Sequence, residues 1–283
     1  MRTLTKLLVF AISLMVSMTF AQDFQGVATY KMHRQMSIEL DSTQVNSEMH
    51  QRMMDMMKKQ FEKTFLLSFN KEESLYKEDE QLESPQVGGM QVVMVDTRGS
   101  DILYKNIGEG SFTSQNEVFG KIFLVEDKLE DRKWTLTNET KYIGEYKCYK
   151  ATFTREQPMV RSFISVNGDN EPDEEEEDAE PEMEEITVEA WYAPELPVNN
   201  GPARYQGLPG LILEVNDGPL TLLCSKIVIN TKDKFKIEKP SKGKRVNQAK
   251  FDEIMDKKMK EMRERYDSER RDGHDVEIRI RGN

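Results

Sequence analysis

The 283-residue sequence lacks the residue patterns of common catalytic sites. It has only three histidines, at positions 33, 50 and 274, and no two of them have the i, i+4 spacing of a zinc-binding pair. A Gly-x-Ser-x-Gly elbow, a phosphate-binding loop and a dinucleotide-binding glycine motif are also missing. Acidic residues are too numerous for a catalytic carboxylate pair to stand out. We therefore predict a protein that is not an enzyme and uses no cofactor.

Cysteine is scarce as well. Cys148 and Cys224 are the only two, and each lies in a strand-like apolar segment. In an oxidising compartment they could form a disulfide, provided that their Cα atoms lie within about 7 Å of each other. The alternative is a pair of buried thiols. The sequence does not set the distance between them, so both arrangements stay open.

Negative charge is concentrated in one segment. The formal net charge is -11, but residues 169–185 alone contain twelve acidic side chains and no Lys or Arg. This segment lacks the spaced ligands and central glycine of a calcium loop, so it predicts a solvated, disordered loop. Residues 231–246 form a basic linker. In a net acidic protein this linker has no evident nucleic-acid partner, and we predict none.

The first 21 residues have the features of an export signal. Arg2 and Lys6 precede an apolar run over residues 7–20, and Ala21 supplies a small residue for cleavage. The run is shorter than the roughly 20 residues of a transmembrane helix, and no cysteine follows it as a lipid attachment point. We expect an exported mature chain without a transmembrane span, located in the periplasm, associated with the outer membrane or extracellular.

Residues 22–230 predict a mainly β domain. Short apolar runs bounded by Gly, Pro or Asp recur closely, for example at 65–69 and 148–154, and indicate strands. The crossover segments that parallel strands require are absent. The expected fold is therefore mainly β (α+β), an antiparallel meander or half-barrel sheet with two packing helices.

Both predicted helices show apolar residues at a period near 3.6. The first lies near residues 45–61 and is rich in methionine. The second starts at Asn247, which can cap its free amides, and Phe251 opens its apolar face. Alternating apolar residues at 276, 278 and 280 then indicate a final edge strand, so residues 247–283 are expected to pack on the β domain.

The first helix also offers soft metal ligands. His50, Met53, Met54 and Met57 lie within one or two helical turns, and Cu(I) prefers thioether and imidazole ligands. Methionine is equally a flexible filler of hydrophobic cores. Methionines recur on the second helix, which favours packing over copper binding.

One motif carries a family resemblance. Residues 207–212 read Gly-Leu-Pro-Gly-Leu-Ile, and they follow Ala190-Trp-Tyr-Ala-Pro-Glu-Leu-Pro-Val198 and Gly201-Pro202. Together these residues resemble the signature of the GLPGLI family, also called Porph_ging, of exported proteins from Gram-negative bacteria. Further landmarks of that family are matched from Phe119 onward. The resemblance implies no established activity.

The segment between two predicted strands that contains this motif holds seven Gly and Pro residues. So many special backbone positions indicate either a binding rim or a structural clasp. The candidate residues for binding a ligand or partner are Trp191, Tyr192, Pro194, Tyr205, Gly207, Leu208, Pro209, Gly210 and Ile212. The alternative is that Leu208 and Ile212 plug one end of the sheet, which we favour because these apolar side chains offer little to a polar ligand.

We therefore expect a non-catalytic exported envelope protein, a binding or accessory factor. The family resemblance suggests a setting near outer-membrane transport systems, with an outer-membrane protein or a hydrophobic ligand as partner. Two alternatives are a periplasmic carrier of a hydrophobic ligand or peptide, and a methionine-rich copper-handling protein.

Overall fold

The computed structural model describes residues 24–35, 62–79, 102–158, 183–230 and 235–270. They form a 12-stranded sheet and an α-helix. In chain order the elements are β1 (Gly26–Arg34), β2 (Lys63–Phe69), β3 (Glu73–Glu78), β4 (Ile102–Asn106), β5 (Ser111–Val118), β6 (Lys121–Lys128), β7 (Thr135–Ile143), β8 (Tyr146–Pro158), β9 (Met183–Ala193), β10 (Leu211–Asp217), β11 (Leu220–Ile229), β12 (Lys244–Val246) and α1 (Gln248–Arg270).

The strands form where apolar residues recur with a period of two. In β2, for example, Phe65, Leu67 and Phe69 are buried while the residues between them are partly exposed. This alternation places one face of the strand against the core. In β10 the consecutive residues 211–213 are all fully buried, because both faces of that strand are covered.

The first strand joins the two halves of the sheet. β1 pairs antiparallel with β2 on one side and with β11 on the other. The order across the sheet is β12-β6-β5-β4-β3-β2-β1-β11-β10-β9-β8-β7. Among the described strands, β7 and β12 therefore lie at the open edges. The pair of β12 and β6 is parallel, and the sheet is otherwise antiparallel.

Helix α1 begins where the sequence predicts. The Asn247 side-chain oxygen accepts a hydrogen bond from the Lys250 backbone amide at 2.9 Å, which is the expected N-cap. Phe251 and Met255, one turn apart, are buried, and the Phe251 ring meets the edge of Phe123 of β6 at 5.7 Å between centroids. The helix is thus held against the β6 side of the sheet. No described helix is both long and apolar enough to span a bilayer.

The predicted mainly β, antiparallel fold is confirmed, with corrections to its details. The described residues contain one helix, not two, and the predicted methionine-rich helix near 45–61 lies outside them. Residues 244–246, predicted as linker, form β12 because their backbone pairs with β6. The predicted acidic loop lies outside the described residues up to 182, and its last three residues begin β9. The signal peptide and the final edge strand also lie outside them.

Candidate functional site

Residues 194–210, which we call the clasp loop, connect β9 to β10 and reach distant strands. The Ser74 hydroxyl of β3 donates to the Asn200 side-chain oxygen at 3.3 Å. The Lys105 ammonium of β4 donates to the Gly201 carbonyl at 2.7 Å and to the Tyr205 carbonyl at 3.3 Å. In the strand order β4 lies five positions from β10, about 24 Å away if the sheet were flat. The clasp loop therefore bridges the two halves of a curved sheet.

The segment between β6 and β7 holds the other side of the clasp loop. The Trp134 indole N–H donates to the Gln206 carbonyl at 2.9 Å, and the Gln206 side chain donates to the Glu130 carbonyl at 2.8 Å. The Arg132 guanidinium donates to the Arg204 carbonyl. These bonds satisfy backbone groups of an irregular loop that would otherwise have no partner.

The glycines of the motif are needed at two positions for different reasons. A Cβ on Gly210 would lie 2.3 Å from the Ala193 carbonyl oxygen, so the loop backbone approaches the end of β9 too closely for any side chain. Gly207 has φ +95°, in the left-handed region, and a Cβ there would meet only the Trp134 ring at 3.8 Å. Gly210 therefore allows the loop backbone to lie close to β9, and Gly207 allows the positive φ.

The apolar residues of the motif face inward. Leu208 is 1 % exposed and Ile212 is fully buried. The Ile212 carbonyl accepts a hydrogen bond from the Tyr30 hydroxyl of β1 at 2.7 Å. This arrangement corresponds to the plug that the sequence favoured over a binding rim.

Tyr205, Asp217 and Arg155 form a hydrogen-bonded network. The Tyr205 hydroxyl donates to one Asp217 oxygen at 2.5 Å, and the Arg155 guanidinium donates to the other at 2.6 Å. Asp217 is buried, so its carboxylate depends on these donors. Burial and then the charge of Asp217 raise the pKa of the Tyr205 hydroxyl above its ordinary value. Arg132 covers the Tyr205 ring at 5.1 Å from its centroid.

Lys105 is an unusual charge for a protein core. It is fully buried, and the hydrogen bonds of its ammonium go to two carbonyl oxygens of the clasp loop. Burial lowers the pKa of the Lys105 amine well below its ordinary value, and the charge of Arg132 lowers it further. Near it, the Asn200 side-chain nitrogen is buried without a partner among the described residues. The hydrogen bonds of Lys105 thus hold the clasp loop against the sheet.

A second group of aromatic residues lies next to the β7 edge, with Tyr142 exposed, Tyr149 partly exposed and Tyr192 buried. We call Tyr142, Tyr149 and Tyr192, with Lys147 and the adjoining residues 194 and 195, the tyrosine face. Tyr149 lies opposite Tyr192 in the ladder, and Tyr142 lies opposite Lys147. Residues opposite each other, or two apart on one strand, share a face of the sheet. The three tyrosines therefore line the same face, next to the β7 edge.

The tyrosine face forms a shallow groove. The rings of Tyr149 and Tyr192 lie 6.2 Å apart between centroids at an angle of 35°. The Lys147 ammonium lies 5.4 Å from the centre of the Tyr149 ring. The groove between these side chains and residues 194–195 has a volume of about 260 Å³. Tyr142 is 72 % exposed, the most exposed large hydrophobic side chain among the described residues.

The predicted binding residues do not form one surface. Six are buried, three are exposed, and only two line the groove. The buried residues are Trp191, Tyr192, Tyr205, Leu208, Gly210 and Ile212, and the exposed ones are Pro194, Gly207 and Pro209. The groove contains Tyr192 and Pro194 from this set.

The predicted metal ligands His50, Met53, Met54 and Met57 lie outside the described residues. Within the described ranges, no three or more His, Cys, Asp or Glu side chains are grouped so as to hold a metal ion. Cys148 and Cys224 are free, buried thiols in the same core cluster. Burial raises the pKa of Cys148 to about 11 and that of Cys224 to about 12. The two thiols correspond to the second arrangement that the sequence left open.

Residues 134–214 match the family model described as "Protein of unknown function (Porph_ging)". This chain carries a Porph_ging domain. The domain begins at Trp134, contains the whole clasp loop and ends within β10. The matched range therefore includes both the clasp loop and Trp134, which donates a hydrogen bond to it.

Solved structures of PNGF-II, in P21 and C2 space groups, are similar to this chain. They match 82 % of it at 13 % and 14 % sequence identity, with TM-scores of 0.46 and 0.44. The chain spans about a third of their length, 33 % and 32 %. No curated protein sequence matches this chain.

Several residues of the site could not have been singled out from the sequence. Lys105 occurs in an ordinary strand pattern, and its burial depends on a loop almost 100 residues later. Tyr142 and Tyr149 lie on either side of the turn between β7 and β8, but their common face with Tyr192 depends on the pairing of β8 with β9.

Proposed function

We propose that this protein is a non-catalytic exported envelope protein that binds a partner through the tyrosine face. The proposal includes its setting, as a binding or accessory factor near outer-membrane transport systems. The observation on which it rests is the groove beside the β7 edge, lined by Tyr149 and Tyr192, on the face of the sheet that also carries the exposed Tyr142.

The clasp loop is a poor candidate for the binding surface. Its leucine and valine side chains are buried, and its carbonyl groups accept hydrogen bonds from Lys105, Trp134 and other residues of the same chain. A partner could use these groups only after breaking internal contacts. The family motif therefore serves the fold, and recognition is expected elsewhere.

The tyrosine face has the chemistry of a recognition surface. Tyrosine provides a large contact area with few rotatable bonds and a hydroxyl that can hydrogen-bond, and it is enriched among residues that dominate binding energy. Lys147 and Glu195 place one charge of each sign at the groove. Among the described strands β7 has a neighbour on one side only, so its outer backbone could pair with an extended segment. We therefore favour an extended polypeptide of the partner as the bound element.

The carrier alternative requires an apolar cavity. The groove of the tyrosine face is lined by tyrosine, lysine, proline and glutamate side chains, which suits a polar partner better than a lipid-like ligand. The copper alternative rests on residues outside the described ranges, and the structure adds nothing in its favour.

Site-directed photo-crosslinking would test the proposal. A benzophenone amino acid is placed at Tyr142, and in a matched control at Leu223, which is 40 % exposed on β11. The chains are expressed in the producing bacterium and irradiated in intact cells. We expect a discrete cross-linked product from position 142 and none from position 223, and replacement of Tyr149 by Ser should weaken the product. The same products from both positions, or none from position 142 of a folded chain, would contradict the proposal.

A further inference from the structure

A second cavity lies where the clasp loop meets helix α1, away from the tyrosine face. Its volume is about 220 Å³. It is bounded by the start of β5, the end of β6, the segment after β6 and the first turn of α1. Two guanidinium groups, those of Arg132 and Arg204, line it, and we call it the arginine cavity.

Arg204 is held in place without a direct counter-ion. Its guanidinium lies 4.2 Å from the centre of the Phe112 ring and donates to the Gln248 side-chain oxygen at 2.7 Å. Within the part of the chain that the structure describes, no carboxylate forms an ion pair with it at 4.0 Å or less. Burial lowers the pKa of Arg204, and the nearby charges of Asp127, Glu130 and Asp252 only partly offset this effect. A half-buried cation of this kind is stabilised by an anion that completes its hydrogen bonds.

The acidic groups of the cavity are engaged elsewhere. The two Asp127 oxygens accept the backbone amides of Lys128 at 2.8 Å and of Gln248 at 3.0 Å, and these bonds lower the pKa of Asp127. Glu130 pairs with Arg132 at 3.2 Å and is largely exposed. These carboxylates are therefore occupied by other donors. Of the cations that line the cavity, Lys128 is exposed to solvent and Arg132 pairs with Glu130, so Arg204 is the half-buried cation without a carboxylate partner among the described residues.

We propose that the arginine cavity binds a small carboxylate, with the carboxylate on the edge of the Arg204 guanidinium and the rest of the ligand against Phe112 and Leu129. The planar guanidinium matches a carboxylate with two parallel hydrogen bonds, and its contact with the Phe112 ring and its hydrogen bond to Gln248 already hold it in place. A volume of about 220 Å³ accommodates a ligand of amino-acid size. This site is separate from the tyrosine face and does not depend on the proposed partner.

Nuclear magnetic resonance of the full-length, ¹⁵N-labelled chain would test the site with two probes. N-acetyl-L-alanine carries a carboxylate, and N-acetyl-L-alanine amide is its neutral counterpart. We expect the acid to shift the side-chain amide signals of Gln248 in a saturable manner and the amide to leave them unchanged. Equal shifts with both probes, or none with the acid, would overturn the proposal.

Two variants show which arginine is responsible. Arg204→Gln removes the charge inside the cavity, whereas Arg245→Gln removes an exposed charge of the neighbouring strand β12. Arg204→Gln should weaken binding of the acid at least about tenfold, since hydrogen bonds to a charged group are lost, and Arg245→Gln should leave it unchanged. Equal losses in both variants would show nonspecific attraction and refute the assignment. If Arg204→Gln does not fold, the comparison of acid and amide on the wild-type chain still tests whether the cavity binds a carboxylate.

Discussion

Replacement of Gly210 by alanine is the most direct test of the clasp loop. The added Cβ would lie 2.3 Å from the Ala193 carbonyl oxygen, 2.6 Å from its carbon and 2.8 Å from the Pro194 nitrogen. All three are backbone atoms at the end of β9, so no side-chain rotation can make room. The loop itself must move.

The size of the effect follows from the contacts that such a movement breaks. The Leu211 amide donates to the Leu196 carbonyl at 2.9 Å, and the Gly210 amide donates to the Leu208 carbonyl at 2.8 Å. Each of these bonds contributes about 1 kcal/mol net. Overpacking of a tight site costs about 1 to 3 kcal/mol in addition. We expect Gly210→Ala to lower the free energy of unfolding by about 3 to 5 kcal/mol.

Gly207→Ala is the matched control. At this position a Cβ has space, because its nearest neighbour is the Trp134 ring at 3.8 Å, and only the positive φ of +95° opposes a side chain. A left-handed backbone costs an L-residue about 1 to 2 kcal/mol. Urea unfolding followed by fluorescence of the two tryptophans, Trp134 and Trp191, measures both variants. If Gly210→Ala loses no more stability than Gly207→Ala, the close approach of the loop to β9 is wrong.

Two further predictions concern buried titratable groups. Because burial lowers the pKa of Lys105 below its ordinary 10.5, the unfolded chain binds this proton more tightly than the folded one, and the contribution of Lys105 to stability should rise as pH increases towards 10.5. The raised pKa values of Cys148 and Cys224 act in the opposite direction, so the Lys105 contribution is measured as a difference between variants. Between neutral pH and about pH 10, urea unfolding should give a more positive change in the free energy of unfolding for the wild type than for Lys105→Met; equal changes would contradict the prediction. Because burial raises the pKa of Cys148 and Cys224, neither thiol should react with Ellman's reagent at pH 8 in the native chain, and both should react after unfolding without reductant. Detection of no thiol after unfolding would show a disulfide instead.

Features with a local cause were predicted from the sequence. The strands at 65–69 and 148–154 follow from alternating or apolar runs, and the start of α1 follows from Asn247, whose side chain caps a nearby amide. The parallel pairing of β12 was not predicted, because Lys244 and Arg245 are basic and a segment of three residues carries no strand pattern of its own. Their strand conformation depends on the free edge of β6.

Sites that depend on several strands were beyond prediction. Tyr142, Tyr149 and Tyr192 lie in three different strands, and only the register of β7, β8 and β9 places them on one face. The arginine cavity likewise combines Arg132, Arg204 and Gln248 from segments far apart in the chain. Side chains converge in this way only after non-local backbone pairing has formed.

The sequence alone determined that the chain is mainly β, that it carries the Gly-Leu-Pro-Gly-Leu-Ile motif and that a capped helix follows the sheet. These properties come from short-range periodicity and from backbone preferences of Gly, Pro and Asn. Only the tertiary structure decided that the motif is a buried clasp, that Lys105 is held under it, and that the tyrosine face and the arginine cavity lie elsewhere. The reason is physical: burial, charge compensation and cavity shape are properties of distant segments brought together, and no single segment contains them.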